Sequence, residues 1–143
     1  MEPELKREII LDNYAAPANR GSGTDEYIKV NTNNSSCIDN IDIWVLFEDN
    51  IIKDIKFDGE ACAISTASTS IMSKELIGKS LEEAIKFIES FECMIEEQEY
   101  NASILNEANV FDEIYKQANR KTCATLPYKG ILKAIEEYKA KKS

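Results

Sequence analysis

Three cysteines and one aspartate are the residues of this chain whose types and spacing could do chemistry. Cys37, Cys62 and Cys123 are each predicted at a junction between a loop and a helix or strand, and Asp39 follows Cys37 closely. Three thiolates and a carboxylate form a tetrahedral ligand set that suits Zn²⁺, and iron or an iron–sulfur cluster also accepts it. The spacing lacks the paired C-x-x-C knuckles of a zinc finger. The residues alone therefore leave a second interpretation open, in which the three cysteines are buried apolar side chains of the core.

Composition excludes several classes of function. The chain has no histidine, which excludes histidine acid–base catalysis, Cys-His dyads and histidine metal ligands. The net charge of −9 argues against a nucleic-acid-binding protein, because phosphate contacts need a basic surface. No apolar run approaches the roughly 18 residues of a membrane span. The charged start of the chain lacks the apolar region of a signal peptide, so we expect a cytoplasmic protein.

The clearest structural signal is a β-hairpin that positions two of the cysteines. Residues 40–48 and 51–58 alternate apolar and polar side chains, and Asp49-Asn50 between them favours a tight turn. Cys37 precedes the first strand and Cys62 follows the second. Because the open ends of an antiparallel hairpin are neighbours, we expect the two thiols to lie close together. Ile51, Ile55 and Phe57 stand at alternate positions of the second strand, so we expect them on one face of the sheet.

The remaining pattern predicts an α+β fold in one domain over residues 1–143. The sheet is expected to be small and antiparallel, with about three strands and with helices packed mainly on one face. Tyr27 begins a short strand, and the polar segment 31–36 is a loop that leads to Cys37. The predicted helices, from apolar periodicity and from the capping-box pattern at Ser80, span 3–15, 62–76, 81 onward, 107–118 and 124–140.

Four short motifs resemble those of the SufU/IscU family of iron–sulfur cluster assembly proteins, which also includes the N-terminal domain of NifU. In chain order they are Tyr14-x-x-Pro17-x-Asn19-x-Gly21, Asn34-x-x-Cys37-x-Asp39, Phe57-x-Gly59-x-x-Cys62-Ala63-Ile64-Ser65 and Arg120-x-x-Cys123-Ala124-x-Leu126. The sequence is more similar to the SufU branch, because IscU proteins carry a histidine where this chain has Thr122. Residues 93–119 also resemble the insertion of SufU proteins.

This resemblance implies a Zn²⁺ ion held by Cys37, Asp39, Cys62 and Cys123. It implies that Cys37 accepts persulfide sulfur from a PLP-dependent cysteine desulfurase, with Arg120 as an auxiliary residue beside the site. The chain would then be a sulfurtransferase-like acceptor rather than a stand-alone enzyme. The alternatives are a scaffold that assembles a [2Fe–2S] cluster at the same ligands and passes it to downstream cluster-assembly proteins, or a structural zinc domain that only mediates protein contacts.

Two positions depart from the family pattern, and one cysteine lies outside it. Ile38 stands between Cys37 and Asp39 where the family usually has glycine, and Ala61 precedes Cys62 where glycine is also usual. A β-branched residue at position 38 would be disfavoured if the backbone needed a positive φ there. Cys93 matches no motif and is interpreted as a buried apolar residue.

Overall fold

The computed structural model describes residues 1–35 and 37–142. Three antiparallel strands form one sheet in the order β1-β2-β3, which confirms the predicted α+β architecture. The strands and helices are α1 (Pro3–Ala15), β1 (Ile28–Asn33), β2 (Asn40–Glu48), β3 (Ile51–Glu60), α2 (Ala63–Leu76), α3 (Leu81–Ile95), α4 (Ala102–Leu105) and α5 (Ala118–Lys142). Two 3₁₀ segments, Asn106–Phe111 and Ile114–Lys116, connect α4 to α5.

The hairpin of β2 and β3 forms as predicted, with one change of register. Asp49 and Asn50 have φ values of 53° and 62°, the left-handed pair that matches the twist of a two-residue hairpin turn. The pairing shifts by one residue between Leu46 and Phe47. Because a shift of one residue reverses which face a side chain occupies, Ile52 is fully buried while Ile51 is 38% exposed. The prediction that Ile51 shares a face with Ile55 and Phe57 was wrong for this reason.

The helices cover one face of the sheet, where α5 contacts β1 and β2 and α2 contacts β3. Val30, Ile43, Val45 and Ile55 form the inner face and are buried. Helix α1 packs on α2, and α3 packs on α5. Among the described residues, no helix is both long enough and apolar enough to cross a bilayer.

Helix α2 is built from small residues because both of its neighbouring helices approach it closely. Its central residues are almost all buried, and their hydroxyl groups are hydrogen-bonded. Ser68 donates to the carbonyl oxygen of Ala124 in α5 at 2.6 Å, and Ser70 donates to Asn13 Oδ1 in α1 at 2.7 Å. The serine-rich run therefore serves helix packing.

The structure corrects three further expectations about element boundaries. Helix α5 begins at Ala118, so Cys123 lies inside the helix rather than at its start. The predicted loop 31–36 is partly strand, since β1 continues to Asn33, and residue 36 of that loop lies outside the described residues. The helix expected over 107–118 is replaced by the two 3₁₀ segments. Cys93, interpreted from the sequence as a buried apolar residue, lies on α3 and is only partly buried.

Candidate metal centre

Cys37, Asp39, Cys62 and Cys123 converge on one point. One ligand atom from each lies within 4.8 Å of those of the others. The first two come from the loop between β1 and β2, Cys62 precedes the first residue of α2, and Cys123 comes from α5. The predicted proximity of Cys37 and Cys62 is confirmed, and α5 brings the third cysteine to them.

Two backbone hydrogen bonds and a glycine fix the open end of the β2–β3 hairpin beside the four candidate ligands. The Asn34 N–H donates to the carbonyl of Asp39 at 3.0 Å, and the Cys37 N–H donates to the carbonyl of Asn34 at 3.1 Å, which closes the ligand loop. Across from it, Gly59 has a φ of +130°, and a Cβ there would lie 2.3 Å from the carbonyl oxygen of Asn40. Only glycine allows the two strands to approach this closely before Cys62.

Asp39 is held as an ionised carboxylate. It is 2% exposed, yet its Oδ1 accepts the Cys62 N–H at 2.7 Å and its Oδ2 accepts the Ser65 hydroxyl at 2.7 Å. Burial alone would raise the pKa of Asp39, but these hydrogen bonds outweigh it and hold the pKa below the usual value. Oδ2 lies 3.9 Å from Cys62 Sγ. A negatively charged oxygen is therefore aimed at the thiols.

The two cysteines on helices differ in their surroundings. Cys62 is the N-cap of α2, and its Sγ accepts the Ser65 N–H at 3.4 Å, in the positive field of a helix N-terminus. Cys123 is 1% exposed, and its Sγ lies 3.7 Å from the carbonyl oxygen of Asn119. Burial first, and then the nearby Asp39 and Cys62, raise the pKa of Cys123 to about 12. Without a cation, Cys123 therefore keeps its proton at neutral pH.

The donor set fits a metal ion. Zinc–sulfur bonds of about 2.3 Å and zinc–oxygen bonds of about 2.0 Å place sulfur and oxygen ligands of a tetrahedral site about 3.5 Å apart. Cys62 Sγ and Asp39 Oδ2 lie 3.9 Å apart, so a small movement brings both atoms to bonding distance of one ion. Three thiolates and one carboxylate this close together would repel one another, so their deprotonated form needs a cation between them. The same ligands serve zinc, iron or an iron–sulfur cluster.

A cavity of about 380 Å³ opens beside the ligands. Its lining residues are Asn34, Cys37, Asn119, Arg120, Thr122 and Cys123. Cys37 and Arg120 therefore share an accessible space, whereas Asp39 is buried behind it. Arg120 lies near the site, as its place in the motif predicts. The sequence reasoning missed Ser65, for which the available signal was its position three residues after the N-cap cysteine.

The departure at position 38 introduces no backbone strain. Ile38 is not among the residues with a positive φ, so the concern about a β-branched side chain does not apply here. Its side chain is 64% exposed. An exposed isoleucine therefore lies between two of the candidate ligands, on the outer surface of the site.

Comparison with known proteins agrees with this geometry. The family model described as the NifU-like N terminal domain matches residues 5–143. The zinc-dependent sulfurtransferase SufU of Bacillus subtilis (strain 168) is 36% identical over 132 residues, covering 92% of this chain and 89% of that protein. The iron–sulfur cluster assembly scaffold protein IscU of Streptococcus pyogenes serotype M1 is also 36% identical, covering 92% of this chain and 83% of that protein.

A solved structure has the same fold. It is the crystal structure of an iron–sulfur cluster assembly scaffold protein for the SUF system from Fervidobacterium islandicum AW-1. It superposes with a TM-score of 0.86 at 31% identity, covering 89% of this chain and 93% of that one. Sequence motifs, fold and comparisons agree: the chain belongs to the family of NifU-like N-terminal domains.

Proposed function

We propose that this chain works in iron–sulfur cluster assembly as a zinc-dependent acceptor of persulfide sulfur from a PLP-dependent cysteine desulfurase. Cys37, Asp39, Cys62 and Cys123 are the proposed zinc ligands, Cys37 is the proposed acceptor, and Arg120 is the proposed auxiliary residue. The observation that carries the proposal is the convergence of these four ligands beside a cavity that reaches Cys37 and Arg120. The SufU relative, named as a zinc-dependent sulfurtransferase, supports it.

Burial favours Cys37 over the other cysteines as the acceptor. Cys123 is buried inside α5, and Cys62 is held by the first turn of α2. Cys37 is partly exposed, lies on a loop and lines the open cavity. A zinc ion bound here would keep the sulfur of Cys37 as a thiolate until a partner arrives. The sulfur that can move and be reached is therefore that of Cys37.

The transfer is a thiol exchange without net oxidation or reduction. The thiolate of Cys37 attacks the terminal sulfur of the persulfide on the desulfurase cysteine. A new sulfur–sulfur bond forms on Cys37 as the old one breaks, and the desulfurase cysteine leaves as a thiolate. The hydrogen stays on the transferred sulfur. The guanidinium of Arg120, which lines the same cavity, would stabilise the negative charge that passes from the Cys37 thiolate to the leaving thiolate.

Mass spectrometry after incubation with cysteine and a cysteine desulfurase tests the proposal. We expect one additional sulfur on the peptide that contains Cys37, and stimulation of desulfurase turnover. Cys93→Ala is the matched control, because Cys93 lies on α3 and is not one of the four clustered ligands. This variant should accept sulfur like the unmodified protein. If Cys37→Ala still acquires sulfur and stimulates turnover fully, the acceptor role is wrong.

A cluster scaffold is the second candidate. The IscU relative, which is as similar as the SufU relative, favours it, and the ligand set accepts an iron–sulfur cluster. Metal analysis of protein purified without added iron separates the two. We expect about one zinc per chain, as one tetrahedral site implies. Iron with visible absorbance would favour the scaffold. Zinc without any stimulation of a desulfurase would leave a structural zinc domain.

A further inference from the structure

Ser65 contacts three of the four candidate ligands without being one itself. It is fully buried in the first turn of α2. Its hydroxyl oxygen lies 2.7 Å from Asp39 Oδ2 and 3.0 Å from the carbonyl oxygen of Cys123. Its N–H donates to Cys62 Sγ at 3.4 Å. Within the described part of the chain, it forms no hydrogen bond with Cys37, the fourth ligand.

A proline in α5 explains why the Cys123 carbonyl needs this hydroxyl. In a regular helix the carbonyl of residue 123 accepts the N–H of residue 127. That residue is Pro127, inside α5, which has no N–H. The Ser65 hydroxyl lies within hydrogen-bond distance of the carbonyl that lacks this donor. A buried polar residue of α2 is thus tied to the turn of α5 that carries a ligand.

The hydroxyl of Ser65 serves two acceptors with one hydrogen. A serine hydroxyl rotates to suit its partners, and the shorter contact is to the charged carboxylate of Asp39, which is the stronger acceptor. In either orientation the oxygen stays between the loop that carries Asp39 and the helix that carries Cys123. The position of this one side chain therefore sets the spacing of ligands from two different elements.

We propose that Ser65 is a positioning residue for metal binding. It holds Asp39, Cys62 and Cys123 in their relative places before the metal arrives and leaves Cys37 outside this constraint. Three ligands are thus preorganised, and the fourth is not held by this side chain. This inference rests on the metal-binding part of the proposed function and is independent of sulfur transfer.

Zinc affinity, measured by competition with a chelator, tests the proposal, with Ser68→Ala as the matched control for Ser65→Ala. Ser68 is also a fully buried serine of α2 that donates to an α5 carbonyl, but its acceptor is Ala124, which is not a ligand. Loss of a residue that orients metal ligands typically lowers affinity about 10- to 100-fold. We expect zinc affinity to fall by about 10- to 100-fold in Ser65→Ala and to change by less than about twofold in Ser68→Ala. This difference should hold even if both variants are less stable than the unmodified protein.

A spectrum and a conservative variant separate positioning from general destabilisation. The sulfur-to-metal absorption bands of the cobalt-substituted protein should change in Ser65→Ala and stay unchanged in Ser68→Ala. Ser65→Thr retains the hydroxyl and should restore most of the affinity. For any variant that is unfolded without metal, as judged by circular dichroism, the rate of zinc transfer from the loaded protein to the chelator replaces the affinity.

Two results would overturn the inference. One is a Ser65→Ala protein that binds or retains zinc as the unmodified protein does. The other is an equal loss in Ser65→Ala and Ser68→Ala, which would mean that any break between α2 and α5 has the same effect. Failure of the unmodified protein to bind zinc would instead overturn the metal-binding part of the proposed function, so the two failures are distinguishable.

Discussion

The replacement Tyr128→Phe should stabilise this protein, because it removes a buried hydroxyl that has no partner. Tyr128 is 1% exposed, and its ring stacks on that of Phe91 with centroids 4.2 Å apart. Its hydroxyl finds no hydrogen-bond partner among residues 1–35 and 37–142. Burial, with a smaller contribution from Glu75, raises the pKa of Tyr128 well above the usual value. The hydroxyl is therefore protonated and has no partner among the described residues.

The magnitude follows from the cost of leaving such a group unpaired. A buried polar group without a partner costs about 1–3 kcal/mol. Phenylalanine keeps the stacked ring and leaves only a small void, so we expect the free energy of unfolding to rise by about 1–2 kcal/mol. For a chain of this size, that corresponds to an increase in melting temperature of about 3–6 °C.

Urea and thermal unfolding of chelator-treated protein are the measurements, because bound metal would add its own stabilisation. Two other tyrosines are the controls. The Tyr27 hydroxyl donates to Asp54 at 2.5 Å, and the Tyr138 hydroxyl accepts the Asn50 N–H at 3.2 Å. Replacing either with phenylalanine should lower stability by about 0.5–2 kcal/mol. If Tyr128→Phe is destabilised in the same way, its hydroxyl has a partner and the reasoning is refuted.

Three further predictions concern the ligand site. Gly59→Ala should unfold at a lower temperature and retain less metal, because the new Cβ would lie 2.3 Å from a backbone oxygen. Gly21→Ala is the control: Gly21 also has a positive φ, but a Cβ there would have no atom within 4 Å, so the effect should be smaller. Thermal melting and metal analysis of both variants check this prediction. Asp39→Asn should stay folded by circular dichroism, since its amide oxygen still accepts a backbone N–H. Chelator competition should show a loss of zinc affinity greater than about 100-fold, which is the largest loss typical of residues that only orient metal ligands. Unchanged affinity would exclude Asp39 as a ligand. The metal-free protein should lose stability as the pH rises above 9.0 toward about 12, because Cys123 keeps its proton in the folded state after the unfolded chain has released it. The free energy of unfolding should fall by about 1.4 kcal/mol per pH unit. Urea unfolding between about pH 8 and about pH 10 measures this slope, and the slope should vanish in Cys123→Ala.

Local sequence was sufficient for the hairpin and for two of the ligands. Alternating apolar residues and the Asp49-Asn50 turn depend only on neighbours along the chain, and they place Cys37 beside Cys62 before any other element is considered. The absence of histidine likewise limited the ligands to sulfur and oxygen. Capping at Ser80 was also predictable, because both hydrogen bonds of the capping box join residues three apart.

The tertiary structure decided the features that join distant parts of the chain. The register shift in the hairpin places Ile52 rather than Ile51 in the core. Packing of the sheet against the helices, rather than local residue preference, decides which of the two is buried. Cys123 reaches the site because α5 starts earlier than its polar residues indicate and packs on both the sheet and α2. Ser65 acquires its place between Asp39 and Cys123 only when the strand loop, α2 and α5 meet. Residue types and local periodicity thus determined which ligands are available, whereas long-range packing decided how they are held, because contacts between elements far apart in sequence leave no periodic signal in either one.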